Sequence, residues 1–370
     1  MARKRLLMTS KHRRAGKHLL AAGLGALLLS FAATGYSQQN GGLKTAVAVD
    51  LLADFGDHNE DLAAAEQPSN ELQLRSAEFM FYAPIDHLFD GKLSFAAHPE
   101  GDTVFGQPEV HEAYLASSKL IPRSRFKIGQ FFLGVGRINH IHQHDWPFLS
   151  TPLTQLEAFN AAEGVIDTGV EYSVLLDLPF YLDWTVGVTS GRSWGHAHEK
   201  EERPLTPTHY SKLTTYTEMI GLPTQIGLSS VGRTNADDQS MQLVGLDLVS
   251  KKRHGRLLRW LWQAEIWRES MQPAAGEETT TVSAYVYGQF GFNVNWSSGL
   301  RLDYASVTTA SDNSRTVVEW NLGYQASEFA KIRLAYHQDT RRSQRTENVS
   351  SQRLLLQSTF IIGAHPTHEF

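Results

Sequence analysis

The chain has no cysteine, so no disulfide or thiolate chemistry enters its folding or function. Beyond the amino terminus it also lacks any apolar run approaching 18 residues, which excludes a helical membrane span there. A net positive charge is lacking too, with 34 Lys and Arg against 39 Asp and Glu, which argues against nucleic-acid binding. The start of the chain has the opposite balance: positions 1–18 hold seven Lys and Arg and no acid, followed by LLAAGLGALLLSFAA from Leu19 to Ala33 and then by Gly35 and Ser37. A charged head, a short apolar stretch and small residues form a secretory signal peptide, and cleavage after Ser37 is expected. Removing seven bases from a precursor of net charge −5 leaves −12 on the 333 residues 38–370. An exported, acidic, cysteine-free chain needs a large core or a membrane to hold it.

What is present is alternation. In VSAYVYGQFGFNVNW, positions 282–296, the even residues Val282, Ala284, Val286, Phe290, Phe292, Val294 and Trp296 are largely apolar, while Ser283, Gln289, Asn293 and Asn295 are polar. Period two is strand geometry, with one apolar face and one polar. Leu300, Leu302 and Tyr304 alternate with Arg301 and Asp303; Val318, Trp320, Leu322 and Tyr324 with Glu319 and Asn321; Ile332, Leu334 and Tyr336 with Lys331 and Arg333. Runs near ten residues suit tilted membrane strands better than the shorter strands of soluble sandwiches. Aromatics at the ends of the apolar faces suit interfacial girdles.

The expected fold is therefore all-β: a transmembrane antiparallel β-barrel of outer-membrane type with about 16 strands, occupying 38–370 as one domain. The expected strands lie near 43–54, 71–84, 91–98, 108–118, 124–133, 165–176, 179–190, 209–219, 223–232, 240–250, 256–268, 281–296, 299–306, 316–326, 329–339 and 350–363. Short turns are read at Leu178-Pro179, Leu222-Pro223 and Ser327-Glu328, and long polar loops at 56–70, 193–208, 271–280 and 341–350. This inequality is the turn-and-loop asymmetry of outer-membrane barrels.

Two segments carry a resemblance: FKIGQFFLGVGRINHIHQHDWPFLSTPL and EGVIDTGVEYSVLL, with the tail LLLQSTFIIGAHPTHEF. From about Glu71 to Tyr216, and in the tail, the chain resembles a family of bacterial outer-membrane porin-like proteins often labelled zinc-regulated TonB-dependent outer membrane receptors. That resemblance implies a porin-like channel and a link to metal supply. The chain is too short for a barrel of about 22 strands with a plug, so a smaller channel is expected. Phe370 is similar to the aromatic terminus that outer-membrane barrels present to their assembly machinery.

Candidate site residues follow from this reading. The segment 136–163, rich in His and aromatics, is expected to fold into the lumen as a constriction, bringing Arg137, His140, His142, His144 and Asp145 there. His140, His142 and His144 would share one face of an extended stretch and could meet a metal ion. The inward strand faces supply Arg259, Glu265, Arg301, Asp303, Glu319, Lys331, Arg333 and Arg353 as pore-lining or wall-bracing charges. Catalysis is not expected: His111-Glu112 lacks the second His of a zinc-protease helix, and no Gly-x-Ser-x-Gly turn is present. No cofactor is expected. The expected function is passive diffusion of small hydrophilic solutes or ions, with net acidity pointing to cations. A substrate-specific or metal-related uptake channel, a non-conducting structural or adhesive barrel and an outer-membrane hydrolase are the alternatives. Expected partners are outer-membrane lipid and lipopolysaccharide, the assembly machinery, the solute, and two further copies in a homotrimer; nucleic acid is not among them. The expected location is the outer membrane of a Gram-negative bacterium.

Overall fold

In the computed structural model, sixteen strands pair in sequence order, and β1 closes on β16. The structure describes residues 42–59, 67–98, 108–192, 194, 203–308, 313–343 and 348–363. The leader 1–37 and the terminal Phe370 lie outside these. The strands are β1 (Lys44–Gly56), β2 (Leu72–Pro84), β3 (Asp90–Ala97), β4 (Glu109–Ser117), β5 (Ser124–Phe132), β6 (Ile166–Leu175), β7 (Leu182–Thr189) and β8 (Thr206–Met219). They continue as β9 (Leu222–Thr234), β10 (Ser240–His254), β11 (Leu257–Gln272), β12 (Thr279–Gly291), β13 (Trp296–Thr308), β14 (Asn313–Ser327), β15 (Ala330–Arg342) and β16 (Val349–Gly363). The barrel belongs to the compact unit Thr45–Phe370. All neighbours are antiparallel, and the closing register runs from Ala46↔Gly363 to Gly56↔Arg353. Closure leaves no edge strand, which satisfies every ladder internally, as hydrocarbon demands.

The two faces differ as the alternation requires. On β10, Val244 and Leu246 are exposed, whereas Leu243, Asp247 and Val249 are buried. On β13, Leu300, Leu302 and Tyr304 point out, while Arg301 and Asp303 are fully enclosed. A soluble sandwich would bury the apolar set and hydrate the charges; here the placement is reversed. Aromatics gather on the outer surface at the end carrying the short turns. Trp260 stacks on Trp262 at 6.0 Å, Trp260 meets Phe290 at 4.6 Å, and Trp296 meets Tyr324 at 4.8 Å. Such a belt marks one membrane interface.

Several expected boundaries move, each for a local reason. The run 282–296 is two strands, not one. Asn293 Oδ1 accepts from the amides of Asn295 and Trp296, and the Phe292 amide donates to Trp296 O, making a tight Asx-type turn after Gly291. Leu222-Pro223 lies inside β9, and Ile220 and Gly221 form the turn instead. Both have positive φ, 53° and 70°, the twist that a two-residue hairpin needs. Ser327 closes β14, so that turn is Glu328-Phe329.

Candidate functional site: the lumen and the segment inside it

Between β5 and β6 the chain leaves the wall for residues 133–165. The neck is fixed by its own backbone and one side chain. The Leu133 amide donates to Val165 O at 3.0 Å. Asn139 spans the two ends, donating to Leu133 O at 2.8 Å and accepting from the Val165 amide at 2.8 Å. Beyond the neck, Val135, Ile138, Trp146, Phe148, Leu149 and Leu153 are completely or nearly completely buried. Phe148 packs edge-on against Tyr285 and Tyr287, both at 5.5 Å, and Trp267 of β11 meets Phe159 at 4.7 Å. Trp267 finds room because Gly245 stands opposite it, where a Cβ would sit 2.4 Å from the ring.

The inward charges hold this segment. Glu319 accepts from the amides of Leu149 and Ser150 at 2.7 and 2.9 Å and from the Ser150 hydroxyl. Arg301 donates to Ser150 O and Oγ at 2.6 and 2.7 Å and to Asp303 at 2.8 Å. Its guanidinium also lies 4.3 Å from the Phe148 ring centre. Asp303 accepts from the Leu153 amide at 3.1 Å. Arg333 donates to Trp146 O, Lys331 to His144 O, and Glu265 accepts from the Arg137 amide. These contacts satisfy the polar backbone of an irregular segment that has no ladder of its own.

The expected site residues thus separate into groups. Glu265, Arg301, Asp303, Glu319 and Arg333 are buried clamps rather than water-facing lining; Arg137 is likewise buried. Lys331 is half-buried against the segment, near Asp145. Arg353 pairs with Asp54 at 2.9 Å and lines a cavity at the loop end. Arg259 sits at the turn end, donating to Gly291 O at 3.0 Å. The three alternating histidines do not converge. His140 is exposed and lines a cavity at the turn end, while His142 and His144 turn inward. An extended stretch would have aligned them, but a 3₁₀ turn at Gln143–Asp145 and an Ile141 amide bond back to Ile138 O break that geometry.

His142 and His144 instead meet wall residues that the sequence did not single out. Nδ1 of His142 lies 2.7 Å from Glu78 Oε1, and its Nε2 lies 3.2 Å from Glu112 Oε2. Nδ1 of His144 lies 3.3 Å from Glu78 Oε2, and its Nε2 lies 3.1 Å from Asp145. Burial opposes protonation of His142, yet the facing carboxylates, Glu78 foremost, push its pKa up to about 10. His144 is raised too: burial opposes this, but Asp145 and Glu78 outweigh it. Glu112 reaches the interior because β4 bulges. Ser94 pairs with Glu112 and Phe95 with Val110, leaving His111 as the extra residue, so that His111 and Glu112 both point inward.

The segment leaves water-sized space on either side. At the turn end a cavity of about 480 Å³ is lined by Arg123, Arg125, Lys127 and Lys212 against Glu171 and Asp183. At the loop end a cavity of about 260 Å³ is lined by Arg75, Arg315, Arg341 and Arg353 against Asp54 and Asp339.

Comparison with known proteins agrees with this architecture. No family model matches the chain. A protein of Aquifex aeolicus (strain VF5), described as uncharacterized, is 26% identical over 381 residues, spanning 93% of this chain and 79% of its own length. The crystal structure of the outer membrane channel DcaP of Acinetobacter baumannii is similar with a TM-score of 0.63 at 14% identity, covering 89% of this chain and 99% of that one. An anion-selective porin from Comamonas acidovorans is similar at a TM-score of 0.59 and 8% identity, covering 87% and 100%. The fold is that of the outer-membrane porins.

Proposed function

We propose that the protein is an outer-membrane diffusion channel for small hydrophilic solutes, with a preference for anions. The observation that carries the selectivity is the excess of basic over acidic side chains among the described residues that line the two cavities, four against two in each. A narrow water-filled passage takes its selectivity from the charges along it, not from the net charge of the chain. This replaces the cation preference drawn from net acidity. Much of that acidity falls between strands in the sequence, as in Asp57, Glu60, Asp61 and Glu66, or Glu199, Glu201 and Glu202. The Comamonas porin of similar fold is named as anion-selective, which points the same way. Arg137, His140, His142, His144 and Asp145, with the clamps Glu265, Arg301, Asp303, Glu319, Lys331 and Arg333, act here by shaping the constriction. Arg259 and Arg353 border the two mouths.

Secretion through the leader 1–37, insertion through the assembly machinery and a place among outer-membrane lipid and lipopolysaccharide belong to this proposal. So does a homotrimer. Strands β3 to β7 are only 8 to 10 residues long, against 13 to 16 for β8 to β16. This wall is at or just under the roughly 9–11 residues that a tilted strand needs to cross a bilayer, and neighbouring copies would shield its lower side.

Liposome swelling tests the proposal. Vesicles holding the refolded mature chain should swell faster in a small monocarboxylate than in a cation of equal size, and Arg353→Glu should narrow the difference. Equal rates, or a faster cation, would refute anion preference; no swelling at all would favour a filled structural barrel. Metal-linked uptake is the second reading, favoured by the cluster of imidazoles and carboxylates around Glu78.

A further inference from the structure

The histidine cluster contains more than ion pairs. Glu78 on β2, His111 on the β4 bulge and His142 on the inward segment are all buried, and each offers a ligand atom within 4.8 Å of the other two. His142 Nδ1 lies 2.7 Å and His111 Nδ1 3.8 Å from the same oxygen, Glu78 Oε1. Two imidazole nitrogens thus crowd one buried carboxylate oxygen. A tetrahedral zinc-type ion with bonds of about 2.0–2.2 Å places its donors roughly 3.3 Å apart, between the two separations found. The three groups would therefore need to shift by well under a side-chain length.

The surroundings fit as well. A metal-bound imidazole usually gives its other nitrogen to a carboxylate, which fixes the ring. His142 presents Nε2 to Glu112 at 3.2 Å, and Lys92 in turn pairs with Glu112. The rings of His111 and His142 lie nearly parallel, 11° apart, with centres at 6.3 Å, so one ring must rotate for both nitrogens to meet the same ion. His111 also belongs to a second trio with His98 and Glu163, both only partly buried, and entry of an ion would run past these two.

We propose that Glu78, His111 and His142 bind one divalent first-row transition-metal ion of the zinc type, which ties the inward segment to the wall at β2 and β4. Two nitrogens and one carboxylate oxygen suit such an ion better than magnesium or calcium, which take oxygen ligands. The fourth position falls to water or to His144, whose Nδ1 is 3.3 Å from the other oxygen of Glu78. The ion would set the position of the constriction whatever solute crosses it, so the site stands or falls independently of anion preference.

The test uses the full mature chain refolded in detergent, stripped with chelator, loaded with Zn(II) and dialysed. One zinc per chain should remain, and it should remain in His140→Ala, whose ring lies outside the cluster. Affinity should fall at least roughly tenfold in His111→Ala and in Glu78→Gln, and by a similar factor in Glu112→Gln, which alters only the supporting carboxylate. Heat-modifiable gel mobility reports whether each variant has folded. X-ray absorption of the zinc-loaded wild type gives a reading that needs no variant: two imidazoles and oxygen ligands are expected. No retained zinc, zinc retained equally by all variants, or a ligand shell without imidazole would overturn the proposal and leave a cluster held by protons alone.

Discussion

Replacing residues 136–163 by a short Gly-Ser linker should raise single-channel conductance roughly threefold or more, because the segment fills the interior of a barrel whose size otherwise leaves an aqueous channel. The excision is feasible because the ends already touch: Leu133 and Val165 are hydrogen-bonded across the neck, and closing a short loop there adds little entropy. The barrel should still close, since its ladder is complete without the segment. Unchanged conductance, recorded in planar bilayers with folding verified by gel mobility, would mean that conduction bypasses the segment.

Arg301→Met should cost roughly 3–5 kcal/mol of stability, the range for breaking a buried ion pair by removing one partner. Arg301 is wholly buried with Asp303 and Glu319. Without it two carboxylates face each other in a site closed to water, and Ser150 O loses its donor. Denaturant unfolding in detergent measures the loss. The same substitution in the excised barrel should cost about 1 kcal/mol or less, because flooding the lumen hydrates the carboxylates and leaves only exposed-pair energetics. An equal cost in both backgrounds would show that the Arg301 cluster braces the wall itself and not the segment.

These two results depend on features of unequal visibility in the sequence. Strand number and facing were legible because one physical rule, alternation against hydrocarbon, repeats along Leu300, Leu302 and Tyr304 and every comparable stripe. The β12–β13 turn was hidden because the apolar rhythm of Phe290, Phe292, Val294 and Trp296 continues straight through it. That Arg301 and Glu319 are charges on an inward face was readable. That they bind the Ser150 backbone was not, since a partner some 150 positions away has no local signal. The His-rich segment drew attention to His142 and His144 but not to Glu78. His111-Glu112 reads in the sequence as an incomplete zinc-protease motif. Only the bulge, which no period-two pattern reveals, turns both into the interior.

Reversal potential in a planar bilayer tests the central claim most directly. With the refolded mature chain and a potassium chloride gradient, discrete openings should appear whose reversal potential has the sign of chloride permeation. It should move toward zero as basic lining residues such as Arg125 and Arg353 are changed to Glu. Silent bilayers from folded protein, or a reversal potential of the potassium sign, would contradict an account in which apolar stripes meet lipid and a basic, partly filled lumen conducts.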